Sequence, residues 1–524
     1  MDKTKKYRYG LDDGLHYRIQ LLNQNILLGL NSRWSLTTNR NDIAAKLGIH
    51  FSKLGLKTLI FVDDPRIANS TAQKINESLI DRKNSHAEFI DSNASVIESL
   101  SLELGSIENS YFQNHFNVGV HHGLLLPLER SLIEQYFKQT DGSIALVATA
   151  TLAQGINLPA EIVIIAGDDR YNEDLRYRER IPPHELLNAA GRAGRAGQSS
   201  QGAVILIPGE IVTIKDSTIS DRWWTLKNEV FSKSDQCLKI EDPLEYFLDS
   251  IQDETEPLDV NQTNILYRFK AENLSETETK NLFKNSFFAY KAVKENKEHT
   301  FNYQVDNLIK RRTELDNLSE DIVWTKEVSF KTGIDPSLVL ELSNAIDKEE
   351  LIEIVNFSVI QYIDWFLEWL SKDTSYLNRI FTKQSTINQL KRATGIRPEI
   401  EETDKILEKL PTLRNLLFQY IKGESLQKIN QSILGPNDLY LTKARNFSIR
   451  LIPEISFSFG FLSMVIIEKA QQQSIERNDI PWTLKALASC IREGFDEVEK
   501  LFFKRNKQLK TRVETHTKYL QAKK

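Results

Sequence analysis

Cysteine is scarce in this sequence: Cys237 and Cys490 are the two thiols among 524 residues. Two cysteines this far apart exclude a disulfide framework and a zinc site built from several cysteines. The N-terminal stretch MDKTKKYRYGLDDG lacks the apolar core of a secretory signal peptide. The most apolar C-terminal run, Ile455 to Ile467, is too short to cross a bilayer. The sequence therefore predicts a cytoplasmic protein with no membrane partner.

Neither sign of charge dominates the composition. Lys and Arg number 67 against 72 Asp and Glu, and the net charge of -5 neither indicates nor excludes a nucleic-acid partner. The charge is unevenly placed, because residues 504–524 contain eight basic residues and one acid, Glu514. We interpret residues 501–524 as a basic C-terminal tail. It is either a solvated, frayed end or a contact for a phosphate backbone.

Helical and strand patterns alternate between residues 41 and 210, as they do in a parallel α/β sheet. Helices are predicted to begin near residue 41 and at Pro65. Continuous apolar runs of the kind buried on both faces predict strands at Thr58–Val62, Ile144–Ala148, Glu161–Ala166 and Ala203–Ile207. The loops that follow such strands are where open α/β sheets bind their ligands.

The character of the sequence changes after Pro208, where glycine becomes scarce and amphipathic helical patterns continue to the end. The predicted fold class is an α/β domain with a parallel sheet followed by a mostly α-helical C-terminal region. The predicted organisation is a lead-in over residues 1–40, the α/β domain over 41–210, two further regions over 211–300 and 301–500, and the tail over 501–524.

Two small-residue stretches in the α/β domain have the composition of a phosphate site. NAAGRAGRAG (Asn188 to Gly197) places Arg192 and Arg195 three residues apart just after a helix start. A guanidinium offers a planar fork of donors that matches phosphate oxygens. The structural alternative is that the two arginines form ion pairs within the fold.

The other stretch is VATATLAQGINLPA (147–160), which begins at the end of a predicted strand. The Thr149 and Thr151 hydroxyls could hold a nucleic-acid phosphate. Gly155 allows close backbone approach, and Asn157 offers an amide to a ribose or a phosphate. Taken alone, a loop of this composition is more often an ordinary turn.

Four motifs in order carry a resemblance: KTLIFV (57–62), VGVHHGLLLPLER (118–130), VATATLAQGINLPA and NAAGRAGRAG. Together they resemble the second RecA-like domain of superfamily 2 helicases, and within that group the processive DExH branch. The resemblance implies that Arg192 and Arg195 are arginine fingers that reach the γ-phosphate of ATP. It also implies that Gly155, Asn157 and Asn188 line the nucleotide side of a cleft between two domains.

The same resemblance implies a nucleic-acid track along the other loops of the domain. Its residues would be Arg66, His122, Gly123, Thr149 and Thr151. Because two acids precede Pro65 where the family often has Ser-Arg, repulsion of a phosphate is expected there, with Arg66 as the remaining contact. The adjacent pair of histidines, His121 and His122, could suggest a metal, but no partner ligands lie nearby, so helix capping or packing is favoured and no metal site is predicted.

The sequence departs from a complete motor in two respects. Asn188 stands where the family usually has Gln, and no GxxxxGK[ST] or DEAD/DEAH-type motif occurs. The nearest fragment, Gly55 to Thr58, lacks the required spacing. We therefore expect the first RecA-like domain to lie on another protein or domain that carries the Walker A and DExH motifs. ATP would bind in a shared site, and Mg²⁺ would be held through that other domain alone.

The C-terminal region resembles the same family more loosely. Residues 276–292 resemble the winged-helix region that follows the motor. Residues 324–346 and 443–462 resemble the helical, ratchet-like accessory region of bacterial members, some of which act in antiviral defence. The aromatic run YIDWFLEWL (362–370) fits base stacking, but its spacing favours a buried helix.

These observations favour the C-terminal half of an ATP-dependent helicase that binds DNA or RNA and is inactive alone. A second interpretation is a non-catalytic nucleic-acid-binding or scaffold protein that kept the fold. A third is an interaction protein whose arginines are structural.

Overall fold

The computed structural model of the chain describes residues 7–10, 16–19, 29–30, 36–37, 39–79, 83–114, 117–149, 158, 160–172, 177–194, 202–213, 218–219, 243–251, 258, 262, 265–266, 276–317, 323–346, 349–398 and 404–523. The chain divides into two compact units. Unit 1 comprises residues 1–238, 425–427 and 437–445, and unit 2 comprises residues 239–424, 428–436 and 446–524.

Unit 1 is built around a parallel sheet. Its strands are β1 (Tyr7–Gly10), β2 (His16–Ile19), β3 (Gly29–Leu30), β4 (Leu36–Thr37), β5 (Thr58–Val62), β6 (Val118–His121), β7 (Ala145–Thr149), β8 (Ile162–Ala166), β9 (Asp169–Asn172), β10 (Tyr177–Arg180), β11 (Ala203–Ile207), β12 (Glu210–Thr213) and β13 (Thr218–Ile219). Five of them form one sheet in the order β11-β8-β5-β7-β6, and every pairing in it is parallel. This sheet confirms the predicted α/β domain.

The central strands of this sheet are buried along their whole length. Every residue of β5, β7 and β8 is buried, which explains why their sequences are continuous rather than alternating apolar runs. The helices of unit 1 are α1 (Arg40–Lys53), α2 (Pro65–Glu77), α3 (Lys83–Ser92), α4 (Ala94–Leu104), α5 (Tyr111–Asn114), α6 (Pro127–Lys138) and α7 (Pro183–Ala190). Helices α1 and α2 pack on the sheet, α6 packs on β6 and α7 packs on β8.

Smaller β elements surround the main sheet. Strands β13, β12, β4 and β3 form a second, antiparallel sheet, and β1-β2 and β9-β10 are two antiparallel pairs. The predicted lead-in over residues 1–40 therefore contributes strands to this unit. None of these short strands is evident in the apolar pattern of the sequence.

The regular secondary structure in the described residues of unit 2 is helical, as the sequence predicts. Its helices are α8 (Pro243–Ser250), α9 (Glu276–Lys284), α10 (Phe287–Lys294), α11 (Glu298–Asn317), α12 (Val323–Thr332), α13 (Pro336–Asn344), α14 (Leu351–Val355), α15 (Val359–Leu370), α16 (Thr374–Ile380), α17 (Gln384–Ala393), α18 (Asp404–Glu408), α19 (Leu410–Ile421), α20 (Leu426–Ser432), α22 (Ile452–Gln472), α23 (Trp482–Lys485), α24 (Leu487–Glu493), α25 (Val498–Lys507) and α26 (Arg512–Ala522). The first residues of α20 lie in unit 1, as does the short helix α21 (Thr442–Arg445).

The long helix α22 lies at the centre of unit 2. It packs against α24, where the Ser456 hydroxyl donates to the Ala488 carbonyl at 2.9 Å. The stretch Thr442–Gln472 is long and apolar enough to cross a membrane by composition, but 61% of its most apolar window is buried inside the protein. Burial of this kind is equally typical of a core helix, so the stretch is weak evidence for a membrane span.

The aromatic run in α15 is part of the core of unit 2. Tyr362, Phe366 and Trp369 are buried, and Trp369 stacks on Tyr376 with ring centroids 4.4 Å apart. The prediction that this run packs in the core rather than stacking on bases is confirmed for these three residues.

The structure adds detail to two of the regions predicted from the sequence. Within residues 301–500, residues 425–427 and 437–445 group with the α/β unit. The end of the chain is not frayed, because residues 498–507 and 512–522 form helices α25 and α26. Much of its basic charge is paired, as in Lys504–Glu493 at 2.9 Å and Lys523–Glu497 at 3.1 Å.

Two buried side chains hold the last helix in place. Arg512 donates to the carbonyls of Tyr420 and Glu424 at 2.5 and 2.6 Å, so it satisfies carbonyls at and just beyond the end of α19 that have no partner within the helix. His516 lies 2.9 Å from the Gly494 carbonyl through Nε2. Burial lowers the pKa of His516, although the hydrogen bond to Gly494 acts in the opposite direction.

This histidine should make the stability of the chain depend on pH. Below its ordinary pKa of 6.5 the unfolded chain binds a proton that the folded chain binds less readily, so stability is full above that pH and falls as the pH decreases. His516→Gln keeps a donor for the Gly494 carbonyl but does not titrate. In chemical denaturation between about pH 7.5 and about pH 5.5, the variant should lose less stability than the unaltered chain, by up to about 1.4 kcal/mol per pH unit. Equal losses would contradict this role.

Candidate nucleotide and nucleic-acid site

The carboxyl ends of three neighbouring strands bring together residues that are distant in the sequence. In the parallel register His121 lies opposite Ala148, and Thr149 lies opposite Val62. The loop after β6, the last residue of β7 and the residues after β5 therefore share one edge of the sheet. This is the edge at which open α/β sheets bind ligands.

The loop from His122 to Leu126, here called the Gly123 loop, is held by buried contacts on its inner side and has free space on its outer side. His122 is fully buried, and its Nδ1 accepts from the Leu124 amide at 3.3 Å. A Cβ atom placed on Gly123 would have no neighbour within 4 Å. The structure thus places Gly123 at an accessible position, whereas His122 supports the loop by packing.

The other histidine of the pair, His121, also packs inside the fold. His121 is buried, and its Nε2 lies 2.9 Å from a carboxylate oxygen of Glu134. Burial lowers the pKa of His121, although hydrogen bonding to Glu134 acts against the shift. Among the residues that the structure describes, no cluster of three or more His, Cys, Asp or Glu could hold a metal ion.

Thr149 and Arg66 lie at the ends of adjacent strands and differ in exposure. Thr149 is the last residue of β7 and is 7% exposed, whereas the Arg66 side chain is 91% exposed. Asp64 caps helix α2 by accepting from the Arg66 amide at 2.7 Å. Arg66 is therefore an accessible cation at this end of β5, and its Nε also lies 3.3 Å from a carboxylate oxygen of Asp64. Thr151 lies outside the described residues.

The arginine motif begins on helix α7, which Pro182 and Pro183 start. Asn188 is exposed on this helix, and Arg192 is half-buried in the turn that follows it. The Gly194 amide donates to the Ala160 carbonyl at 3.0 Å, and Ala193 forms a parallel bridge with Ala160. The end of the 147–160 motif is thus joined to the arginine motif by the backbone. Arg195, Gly155 and Asn157 lie outside the described residues.

A cluster of four charges lies at the same edge, near the end of β5. Arg178 donates to Asp63 at 2.6 Å and to Asp169 at 2.7 Å, and Arg40 donates to Asp169 at 2.8 Å. Gly167 permits this arrangement, because a Cβ atom there would lie 2.1 Å from an Arg40 nitrogen. Asp63 is therefore not an isolated charge, because its carboxylate lies 2.6 Å from Arg178 and 3.9 Å from Arg40. Repulsion of a phosphate at this position stays a prediction.

The β9-β10 hairpin links this cluster to the arginine motif. Arg170 on β9 donates to Glu179 on β10 at 2.8 Å and to Glu185 in the first turn of α7 at 2.7 Å. The hairpin is therefore tied to the helix that carries Asn188. Sequence analysis missed it, and the signal available was the alternation of charged and aromatic residues in DRYN and YRER.

Lys57, in the fragment that comes nearest to a Walker motif, has a structural role. Its ammonium donates to the carbonyls of Phe137, Gln139 and Ser143, each at 2.8 Å. It precedes β5, at the edge of the sheet opposite to the strand ends described above. These contacts explain why a lysine at this position does not indicate a phosphate loop.

Replacing Lys57 should therefore affect stability and not ligand binding. Lys57→Met leaves three carbonyls without this donor and should cost about 1–3 kcal/mol in chemical denaturation. Affinity for an oligonucleotide should stay unchanged in the folded protein. Lys53→Met, at an exposed position of α1, is the matched control and should change neither. A selective loss of ligand binding in Lys57→Met would refute the structural assignment.

Comparison with known proteins relates part of the α/β unit to a family. Residues 78–197 match the family described as helicase conserved C-terminal domain. The chain is 30% identical over 155 residues to DExH-box ATP-dependent RNA helicase DExH13 of Arabidopsis thaliana, covering 29% of this chain and 7% of that protein. It is 29% identical over 153 residues to the U5 small nuclear ribonucleoprotein 200 kDa helicase of Drosophila melanogaster, covering 29% of this chain and 7% of that protein.

A third relative aligns over a shorter stretch. The exosome RNA helicase MTR4 of Mus musculus is 42% identical over 95 residues, covering 18% of this chain and 9% of that protein. The aligned stretches thus span less than a tenth of the length of each of these relatives. The family match contains β6, β7, β8 and the arginine motif, and the parallel sheet agrees with it. Residues 78–197, within the α/β unit, therefore match the conserved C-terminal domain of helicases, which agrees with the resemblance to superfamily 2.

Proposed function

We propose that this chain is the C-terminal motor half of an ATP-dependent nucleic-acid helicase or translocase. Arg192 and Arg195 act as arginine fingers in an ATP site whose Walker A and DExH motifs lie on a partner protein or domain. The observation that carries the proposal is the backbone junction of Ala160 with Ala193 and Gly194. It supports a single nucleotide-facing surface made from the 147–160 motif and the arginine motif.

The ends of the three neighbouring strands support a track for the nucleic-acid backbone. The open surface at Gly123, the end of β7 at Thr149 and the exposed guanidinium of Arg66 share one edge of the sheet. Backbone amides, hydroxyls and an arginine are the groups that bind phosphates without reading sequence. Thr151 continues this track in the proposal, with His122 supporting it from inside.

The proposed mechanism is closure and reopening of a cleft around ATP. When bound, ATP with its Mg²⁺ supplies the phosphoryl group, and the partner domain supplies the metal ligands. Arg192 and Arg195 stabilise the charge that spreads over the γ-phosphate, while Gly155, Asn157 and Asn188 orient the nucleotide. The change between closed and open states moves the bound strand. We place this activity in the cytoplasm, where both cysteines stay reduced.

The test is reconstitution with the missing half. The chain alone should bind single-stranded oligouridylate or oligodeoxythymidylate but should not hydrolyse ATP. Two of the relatives described above are named RNA helicases, so oligouridylate is the first probe. Adding a protein with Walker A and DExH motifs should produce ATP hydrolysis that the oligonucleotide stimulates. Hydrolysis by the chain alone would contradict the proposal, and binding without any restored hydrolysis would favour a non-catalytic nucleic-acid-binding scaffold.

A further inference from the structure

A segment late in the sequence completes unit 1. Residues 437–445, here called the anchor segment, group with the α/β unit although the chain before and after them belongs to unit 2. Near the start of the segment, the Asp438 carboxylate accepts hydrogen bonds from the amides of Tyr440 and Thr442 at 3.0 and 3.1 Å. The segment ends at Arg445, the last residue of α21.

Arg445 is buried completely, and all five of its N–H donors are directed at acceptors. Its Nε donates to the Tyr440 carbonyl at 2.6 Å. One terminal nitrogen donates to Glu129 at 2.5 Å and to the Leu124 carbonyl at 3.1 Å. The other donates to Glu129 at 3.0 Å and to the Asn109 carbonyl at 3.1 Å. A guanidinium with five directed donors fixes each of its partners in position.

Two of those partners lie in or beside the Gly123 loop. The Leu124 carbonyl belongs to the loop itself, and Glu129 accepts from the Leu126 amide at 3.1 Å. Glu129 is fully buried. Burial would raise its pKa, but the charge and hydrogen bonds of Arg445 lower the pKa below its ordinary value, so the carboxylate remains ionised. The loop is therefore tied to the anchor segment both directly and through Glu129.

A second connection runs through aromatic rings. Tyr440 of the anchor segment stacks on Tyr111 with centroids 4.1 Å apart and ring planes 11° from parallel. Tyr111 also contacts the His122 ring edge to face, with ring centroids 4.7 Å apart. His122 in turn accepts from the Leu124 amide. The anchor segment thus reaches the first half of the loop by stacking and the second half by hydrogen bonding.

We infer that Arg445 is a positioning residue for nucleic-acid binding: it holds the Gly123 loop in the conformation that presents its backbone to a phosphate. This inference rests on the proposed function, since it gives the loop a nucleic-acid partner. The loop is fixed on its inner side by Arg445, Glu129 and His122, and it is open at Gly123. Affinity for nucleic acid therefore depends on a segment that lies more than 300 residues beyond the loop.

The test measures binding of fluorescent single-stranded oligouridylate and oligodeoxythymidylate to the full chain at several salt concentrations. Arg445→Lys keeps the charge but cannot satisfy five acceptors, so binding should weaken about tenfold while the fraction of active protein stays the same. The slope of log Kd against log salt should not change, because neutral loop amides release no counterions. Arg414→Lys, whose arginine pairs with Asp364 at an exposed position of unit 2, is the matched control and should bind normally.

A second variant covers the case in which Arg445→Lys does not fold. Tyr440→Leu keeps the hydrogen bonds of Arg445 but removes the ring that stacks on Tyr111, and it should also weaken binding. Normal binding by the folded variants would overturn the inference. A salt slope smaller by about 1 in Arg445→Lys would also overturn it, because Arg445 would then contact a phosphate directly. Failure of the unaltered chain to bind either oligonucleotide would overturn the proposed function together with the inference.

Discussion

In the reconstituted motor, Arg192→Ala and Arg195→Ala should each lower the rate of nucleic-acid-stimulated ATP hydrolysis about 10³- to 10⁵-fold. The reason is that charge develops on the transferred phosphoryl group, and a planar guanidinium stabilises that charge in the transition state. The loss should therefore appear in kcat, with KM for ATP nearly unchanged. Lysine at either position should rescue poorly, since an ammonium cannot form the bidentate contact.

The controls separate a catalytic role from a structural one. Arg180→Ala removes an exposed arginine from β10, one strand of the hairpin that is tied to α7. This variant should leave ATP hydrolysis unchanged. If the two motif arginines form structural ion pairs instead, their alanine variants should unfold at lower temperature while the folded fraction keeps its kcat. Normal kcat in both variants would exclude the arginine fingers.

Four of the five strands of the main sheet could be predicted because each has a strong local signal, whereas β6 was not predicted as a strand. Thr58–Val62 and Ala203–Ile207 have the bounds that their apolar runs indicate. The order of the motifs also predicted that they lie close together, because parallel strands bring their carboxyl ends to one edge of the sheet. The junction of Ala160 with Gly194 follows from this arrangement.

Contacts between distant charges could not be predicted in this way. Arg178 and Asp63 are 115 residues apart, and no spacing rule connects a polar hairpin with the end of a strand. In the sequence, Asp63 therefore looked like an unpaired acid that repels a phosphate. The same limit applies to Arg445 and Glu129, which are 316 residues apart. A single arginine in an amphipathic helical pattern is more often a solvated residue than a buried one.

Replacing Arg445 with methionine should produce one of the largest losses of stability in the chain. The Arg445 and Glu129 side chains are both 0% exposed, and removing one partner of a buried ion pair leaves an uncompensated charge. Such a change costs about 3–5 kcal/mol. The measurement is chemical denaturation followed by a probe within unit 1, together with a second probe within unit 2 for the control variant. Arg414→Met, which breaks an exposed pair with Asp364, should cost no more than about 1 kcal/mol.

The pH dependence of this stability loss tests whether the unpaired charge on Glu129 causes it. In the unaltered chain the pKa of Glu129 is below its ordinary value of 4.5, so its contribution to stability is present above that pH and is lost as the pH falls further. In Arg445→Met the burial remains without the compensating arginine, so the pKa should rise above the ordinary value. The penalty should then shrink as the pH is lowered toward 4.5, because protonation removes the buried charge. Adding Glu129→Gln to Arg445→Met should recover part of the loss at neutral pH. A penalty that is independent of pH would instead point to lost packing.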